Sequence, residues 1–275
     1  VVNTAKNTGR ALGFNNIFGG VGIGLGALLA GILIDQYSWH AAFILPGVIS
    51  LFIGIGLIWH IQSNQISLKN IVSGKFSENP ERSQYLKIAI IMLISITCLS
   101  FVFQILQTSL PKTMDIRLST SMDLSTSEIG YIVSAIYVVS GLMNYVGGIL
   151  ADKFSEKIIY AIGIIGQGCL LLLIISLSNY WLIAICLMIV AFNSSILPAE
   201  NLLLARFAPE KYQSLVYGIK FIISFSVGPI ALILISKSYE LTNEFSYLYL
   251  ASGVIMLLLF MVVLTLPVKK QALAT

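Results

Sequence analysis

Long apolar stretches separated by short polar connections run through the whole chain of 275 residues. Each stretch is about 20 residues long, the length that an α-helix needs to cross the hydrocarbon core of a bilayer. Transmembrane β-strands are about half as long and alternate in polarity, so the pattern excludes a barrel. The predicted helical spans are Phe14–Ile34, Ala42–Ile61, Ile88–Leu110, Glu128–Leu150, Ile158–Ser178, Tyr180–Ala205, Leu215–Ser236 and Tyr247–Pro267.

The composition points to the same class of protein. Hydrophobic residues make up 57% of the chain and charged residues only 10%, whereas a soluble domain is nearer 25% charged. This excludes a soluble enzyme, a disordered tail and a nucleic-acid-binding protein. We therefore expect an all-α, multi-pass integral membrane protein with the lipid bilayer as its surroundings and no nucleic-acid partner.

The sequence contains no recognisable motif for binding a metal ion or a nucleotide. The three cysteines, Cys98, Cys169 and Cys186, lie inside apolar stretches, and no two of them form a CxxC pair. Without a nearby His or Asp cluster they are interpreted as small core residues, not as disulfides or metal ligands. No GxxxxGK[ST] motif is present, so we expect no cofactor, no metal and no direct use of ATP.

Lys and Arg residues are distributed unevenly between the two sides of the predicted bundle. Twelve lie before span 1 or after spans 2, 4, 6 and 8, and three lie in the opposite loops. Cytoplasmic loops carry the excess of Lys and Arg. Both chain ends are therefore predicted to be cytoplasmic.

One connection is longer than all the others. The polar segment Gln62–Lys87 has 26 residues and mixed charge, and long loops in compact bundles are usually functional or linkers. It leaves two spans before it and six after it. Since the chain starts at Val1, this arrangement suggests a twofold repeat of six helices whose first part is missing.

Two segments carry residues whose physical role can be inferred from the sequence. Span 1 contains the pattern Gly22-x-x-x-Gly26-Ala-x-x-Ala30-Gly31, and small residues at this spacing let helices approach closely. Asp35 and Trp39-His-Ala-Ala-Phe43 follow this pattern. The second segment, Gly147-Gly-Ile-Leu-Ala-Asp-Lys-Phe-Ser-Glu-Lys157, begins in the last turn of span 4 and continues into the following loop.

In the second segment, called the loop motif below, Gly147 allows close packing at a helix end. Asp152 can accept hydrogen bonds from a neighbouring helix N-terminus or from a basic side chain. Lys153 and Lys157 are expected to keep the loop in the cytoplasm.

Together these segments resemble motifs of the major facilitator superfamily. Gly22–Gly31 is similar to its fifth-helix motif GxxxGPxxGG, which is linked to antiporters, with Ala27 and Ala30 replacing Pro and Gly. His40 replaces the Arg of the family's W-R-x-x-F. The loop motif is similar to G-x-L-a-D-[RK]-x-G-[RK]-[RK] between helices eight and nine, with Ser155 replacing a Gly.

The resemblance implies a major facilitator fold in which the eight spans are helices five to twelve of twelve. Residues 1–61 would then end the N-terminal six-helix bundle, 62–87 would form the cytoplasmic central loop, and 88–275 would form the C-terminal bundle. It also implies a monomeric secondary active transporter that moves a small solute by alternating access, driven by protons. Its location would be a bacterial inner membrane.

Polar residues inside the spans are the candidates for substrate contact, because they are costly in a bilayer. Span 3 carries a polar stripe, as the resemblance implies for a helix that lines the cavity, and span 6 carries a second one. Helix–helix hydrogen bonding is an equally weighted interpretation. The candidates are Gln104, Gln107, Thr108, Tyr137, Asn144, Asn193 and Ser194.

Glu200 is the only carboxylate well inside a span, and Lys220 lies at a similar depth in the next antiparallel span. Lone charges at that depth would be expensive. We therefore expect a Glu200–Lys220 pair, or a contact of Glu200 with Arg206. A structural or gating pair is favoured over a proton-coupling carboxylate.

Two other classes of function remain open. A polytopic membrane enzyme would need clustered Asp, His or Cys at a membrane surface, but His40 and His60 lie on opposite sides and no carboxylate cluster occurs. A non-transporting receptor or scaffold on the same fold is the second alternative.

Overall fold

The computed structural model describes residues 7–63, 82–118, 124–178, 180–208 and 212–267. These residues form helices and short connections without a strand, which confirms the all-α prediction. Eight of the described helices are long and apolar enough to cross a membrane. They are α1 (Thr8–Gln36), α2 (Ala41–Gln62), α3 (Arg82–Leu118), α4 (Thr126–Lys153), α5 (Glu156–Leu173), α6 (Tyr180–Phe207), α7 (Gln213–Thr242) and α8 (Ser246–Val263).

Helix α3 extends beyond its predicted span at both ends. The predicted span ends at Leu110, whereas α3 continues through Pro111 to Leu118, although proline usually interrupts a helix. Transmembrane helices tolerate proline because neighbouring groups satisfy the freed carbonyl. At the other end α3 includes residues 82–87 of the predicted central loop, and residues 64–81 of that loop lie outside the described residues.

Helices α1 and α4 form the most extensive helix pair and run antiparallel. Glycines make this close approach possible. A Cβ atom on Gly20 would collide with the backbone of Gly141, and one on Gly24 would lie 2.9 Å from the carbonyl oxygen of Ser134. Small residues at a helix interface allow this kind of backbone contact.

The glycine motif predicted from the sequence only partly takes part in this packing. Gly31 packs against α4, where a Cβ would lie 3.1 Å from the carbonyl oxygen of Thr126. At Gly22 and Gly26, by contrast, no described atom lies within 4 Å of a built Cβ. This corrects the expected packing role of these two glycines: they lie on another face of α1, and the close contacts use Gly13, Gly20, Gly24 and Gly31.

Helix α6 is the central helix of the described bundle. It contacts α4 and α5, α5 in turn packs on α8, and α3 packs on α7. Helix α2 contacts only α1 among the described helices, and none of its described side chains is buried. The core lies among α3, α4, α5, α6 and α8, where its largest fully buried side chains include Ile105, Ile136, Tyr160, Ile189 and Tyr249.

Candidate functional site: a polar cavity and two helix caps

The carboxylate of Asp152 caps the N-terminus of α1. Its two oxygens accept hydrogen bonds from the backbone amides of Gly9 and Arg10, each at 2.7 Å. These amides belong to the first turn of α1 and have no partner within the helix, and the helix dipole favours a negative charge there. The sequence left two kinds of partner open for Asp152, a helix N-terminus or a basic side chain. The structure shows the helix N-terminus.

The opposite end of the same helix pair carries a matching cap. Asp35, near the C-terminus of α1, accepts a hydrogen bond from the backbone amide of Ser127 at 2.7 Å and one from its hydroxyl at 2.5 Å. Ser127 lies in the first turn of α4. Each helix therefore ends in a carboxylate that caps the start of the other.

The other residues of the loop motif connect α4 and α5 to neighbouring helices. A Cβ on Gly147 would lie 2.8 Å from the Cα atom of Ser195, so this glycine allows α4 and α6 to approach closely, as predicted. The ammonium of Lys157 donates to the carbonyl oxygens of Leu264, at 2.6 Å, and of Leu266 after the end of α8. Lys153, the last residue of α4, is exposed.

A cavity of about 290 Å³ lies between α1, α3, α6 and α7. Its walls combine amide and hydroxyl side chains with a buried ion pair and aromatic rings. The lining residues are Asn16, Leu99, Ser100, Phe103, Gln104, Gln107, Asn193, Ile196, Leu197, Glu200, Asn201, Lys220, Phe221, Ser224 and Phe225.

Glu200 and Lys220 form an ion pair at the wall of this cavity, with 2.5 Å between Lys220 Nζ and Glu200 Oε1. Both side chains are almost fully buried, with 3% and 9% of their surface exposed. The ammonium also donates to Asn201 Oδ1 at 2.7 Å. Arg206, the alternative partner of Glu200, instead pairs with Glu156 of α5 at 2.5 Å.

The structure brings together five of the predicted residues, Gln104, Gln107, Asn193, Glu200 and Lys220. Thr108 is exposed on another face of α3, and Ser194 is buried but does not line the cavity.

Tyr137 and Asn144 are also placed outside the cavity, which corrects their prediction as lining residues. Both are nearly fully buried, with 3% and 2% of their surface exposed. The reason is the close α1–α4 contact: backbone atoms of Tyr137 and Asn144 lie against Gly20 and Gly13 of α1. This face of α4 is therefore covered by a helix.

Sequence reasoning missed several lining residues. Asn16 comes from α1, where the glycine pattern drew attention to packing, although an amide in an apolar span was a usable signal. Ser224 of α7 shares a hydrogen bond with Ser100 of α3 at 2.7 Å across the cavity. The rings of Phe221 and Phe225 carried no signal, because phenylalanine is common throughout the spans.

A second charged network lies at the C-terminal end of α3. Arg117 donates from Nε and Nη2 to the Glu244 carboxylate, at 3.1 and 3.0 Å, and from Nη1 to the carbonyl oxygen of Ile174 at 2.6 Å. Partial burial raises the pKa of Glu244, but the hydrogen bonds from Arg117 and Ser246 and the charge of Arg117 outweigh this effect. The pKa of Glu244 is therefore below its ordinary value.

Among the described residues, no group of three or more His, Cys, Asp or Glu side chains could hold a metal ion. In comparisons with known proteins, the family model of the Major Facilitator Superfamily matches residues 2–125 and 92–274. A comparison with curated proteins found no match.

Proposed function

The chain belongs to the major facilitator superfamily, and from this premise we propose that it is a secondary active transporter that moves a small solute by alternating access. Members of this family are membrane transporters, and the eight apolar helices make the protein an integral, multi-pass membrane protein. The observation that carries the proposal is the polar cavity among α1, α3, α6 and α7.

The chemistry of the cavity supports a small amphipathic solute as the substrate. Gln104 and Gln107 each offer hydrogen-bond donors and acceptors, and Asn193 adds a third amide. Phe221 and Phe225 offer apolar faces beside them. Ligand sites commonly combine apolar walls with a few placed polar groups.

The contact between α1 and α4 supports the alternating-access mechanism. If residues 1–61 and 88–275 belong to two different bundles, this helix pair is the most extensive contact between them among the described residues. The Asp152 cap then holds one end of the bundles together and the Asp35 cap holds the other. Transporters of this design open one side at a time by rocking two bundles around a central site. The caps would be broken in turn.

Glu200 and Lys220 are proposed as a gating pair at the cavity wall. An ion pair this deeply buried is maintained only while both charges and their hydrogen bonds are present, so a solute that binds Asn201 or either charge would disturb it. Proton coupling through Glu200 is the second role that this position supports. The bias of Lys and Arg supports a cytoplasmic location of both ends, and we further propose a monomer in a bacterial inner membrane.

The test is transport by the full-length protein in proteoliposomes. Solutes that raise the thermal stability of the purified protein are selected from a library and then measured by counterflow at several pH values. Gln104→Ala should raise the KM at least several-fold, whereas Thr108→Val, a change outside the cavity on the same helix, should leave it unchanged. Failure of every stabilising solute to be transported would contradict the proposal.

The role of Glu200 is tested in the same assay. Glu200→Gln should lower the rate at all pH values if the residue only gates the cavity, and should remove the pH dependence of uptake if it carries the coupling proton. An unchanged rate together with an unchanged pH dependence would exclude both roles.

A further inference from the structure

A second concave surface, called the lipid groove below, lies between α4, α5 and α6. It has a volume of about 680 Å³ and an almost wholly apolar lining. On α6 it lies on the opposite helical face from the polar cavity, because Met188 and Phe192 line the groove while Asn193 and Glu200 line the cavity. The hydroxyl of its one polar lining residue, Ser195, donates to the carbonyl oxygen of Phe192.

The groove has the length of one acyl chain of one leaflet. Its α4 wall is the stripe Val139, Met143, Val146 and Leu150, whose members are three or four residues apart and share one helical face. Leu150 lies eleven positions after Val139, so the stripe is about 16 Å long at 1.5 Å per residue. Half of the hydrocarbon core of a bilayer is about 15 Å thick.

Lys153 continues the same stripe by three residues, at the end of α4 that the distribution of Lys and Arg marks as cytoplasmic. It is exposed, and no described residue pairs with it. The neighbouring charges have partners already: Lys157 binds carbonyl groups after α8, and Arg206 binds Glu156. Within the described part of the chain, a cation without an ion-pair partner therefore lies at the cytoplasmic end of an apolar groove.

We propose that the groove binds an anionic phospholipid of the cytoplasmic leaflet, with an acyl chain along the α4 stripe and the phosphate at Lys153. Cytoplasmic leaflets carry anionic lipids, and a Lys near the surface attracts them. The proposed ligand is one specifically bound lipid, as distinct from the surrounding lipid that covers every apolar face. The proposal does not depend on which solute the protein transports.

The test is native mass spectrometry of the full-length protein in detergent, titrated with dioleoylphosphatidylglycerol or dioleoylphosphatidylcholine. The first anionic lipid should bind about five-fold more tightly than the zwitterionic one, as expected for one Lys near the surface. Lys153→Gln should remove this preference. Lys237→Gln, which removes an exposed Lys near the end of α7 opposite the cytoplasmic side, should keep it.

The apolar part of the site is tested by Ala191→Phe, which places a ring in the groove, against Val254→Phe on an exposed face of α8. Ala191→Phe should lower the binding of both lipids, and Val254→Phe should not. If Ala191→Phe lowers the melting temperature of the protein, the proposal is decided by the lipid preference of Lys153→Gln alone. Equal binding of the two lipids, a preference that survives Lys153→Gln, or a protein dimer that Ala191→Phe disrupts would overturn the proposal.

Discussion

Asp35 and Ser127 bind each other at the end of the α1–α4 pair opposite to Asp152. The Asp35 carboxylate accepts from both the amide and the hydroxyl of Ser127, while Asp152 accepts from two amides of α1. Charge-assisted hydrogen bonds therefore join α1 and α4 at both ends of the pair. Opening either end of the α1–α4 contact therefore requires the loss of one of these two pairs of charge-assisted hydrogen bonds.

Removing one cap should bias the protein toward opening at that end. Asp152→Asn loses the charge that favours the α1 N-terminus, an interaction of roughly 1–2 kcal/mol in a favourable geometry. We expect a conformational population shifted by about ten-fold and a slower transport cycle. The measurement is the labelling rate of Asn16→Cys by an impermeant maleimide from each side, in a background without the native cysteines.

Asp35→Asn provides the mirror-image variant, and it should increase labelling from the opposite side of the membrane. Asp115→Asn is the control, because Asp115 forms only a surface pair with Lys112 within the same helix. Normal turnover of Asp152→Asn at normal expression, with unchanged labelling, would show that the cap plays no part in the cycle.

The two glycine faces of α1 should respond oppositely to an added methyl group. Gly20→Ala places a Cβ into the backbone of Gly141, and overpacking of this kind costs about 1–3 kcal/mol. Gly22→Ala has open space around it, so the better helix propensity of alanine should leave stability unchanged or raise it by up to about 1 kcal/mol. Thermal unfolding of both variants in detergent measures the difference. Equal loss of stability in both would contradict the α1–α4 packing described above.

The eight helices could be predicted from the sequence because hydrophobic length alone determines whether a segment can span a bilayer. The boundaries of α3 could not, since continuation through Pro111 depends on tertiary contacts that compensate for the missing amide. The partner of Asp152 was foreseen only as one of two kinds of group. Choosing between a helix N-terminus and a basic side chain requires knowing which helix end lies beside the loop.

The candidate site, too, could be predicted from the sequence only in part. Depth along antiparallel helices was enough to name Lys220 as one of two expected partners of Glu200, and the structure has this pair. The rotation of α4 about its own axis could not be predicted, because its small residues alone do not tell which of its faces packs against α1. For this reason Tyr137 and Asn144 were predicted as lining residues although α1 covers them, and Asn16 of the covering helix was overlooked.

Neutralising one member of the buried ion pair should destabilise the protein more than neutralising both. Glu200→Gln leaves Lys220 without its counter-charge, and breaking a buried pair in this way costs about 3–5 kcal/mol. The double variant Glu200→Gln, Lys220→Met removes both charges and should recover most of that loss. Thermal unfolding of the three proteins gives the comparison. A double variant that is less stable than Glu200→Gln would show that Lys220 has another essential partner.

The Arg117–Glu244 pair should make stability fall at acidic pH. The pKa of Glu244 is lower in the folded protein than its ordinary value of 4.5, so folding favours the charged carboxylate. Its contribution is fully present above the ordinary value, and it is lost as the pH falls from there through the lower folded pKa. We expect the unfolding temperature of the parent protein to drop in this range.

Glu244→Gln should have a lower unfolding temperature than the parent at pH 7, and the two curves should converge as the pH falls from the ordinary value of 4.5 through the lower folded pKa of Glu244. The reason is that the protonated Glu244 of the parent then resembles the neutral amide of the variant, while Arg117 keeps its charge in both. Glu240→Gln serves as the control, because Glu240 is exposed and its side chain accepts only from Ser236 of its own helix. If the difference in unfolding temperature between the parent and Glu244→Gln were as large at pH 3.5 as at pH 7, the charge of Glu244 would not be the source of its stabilising effect.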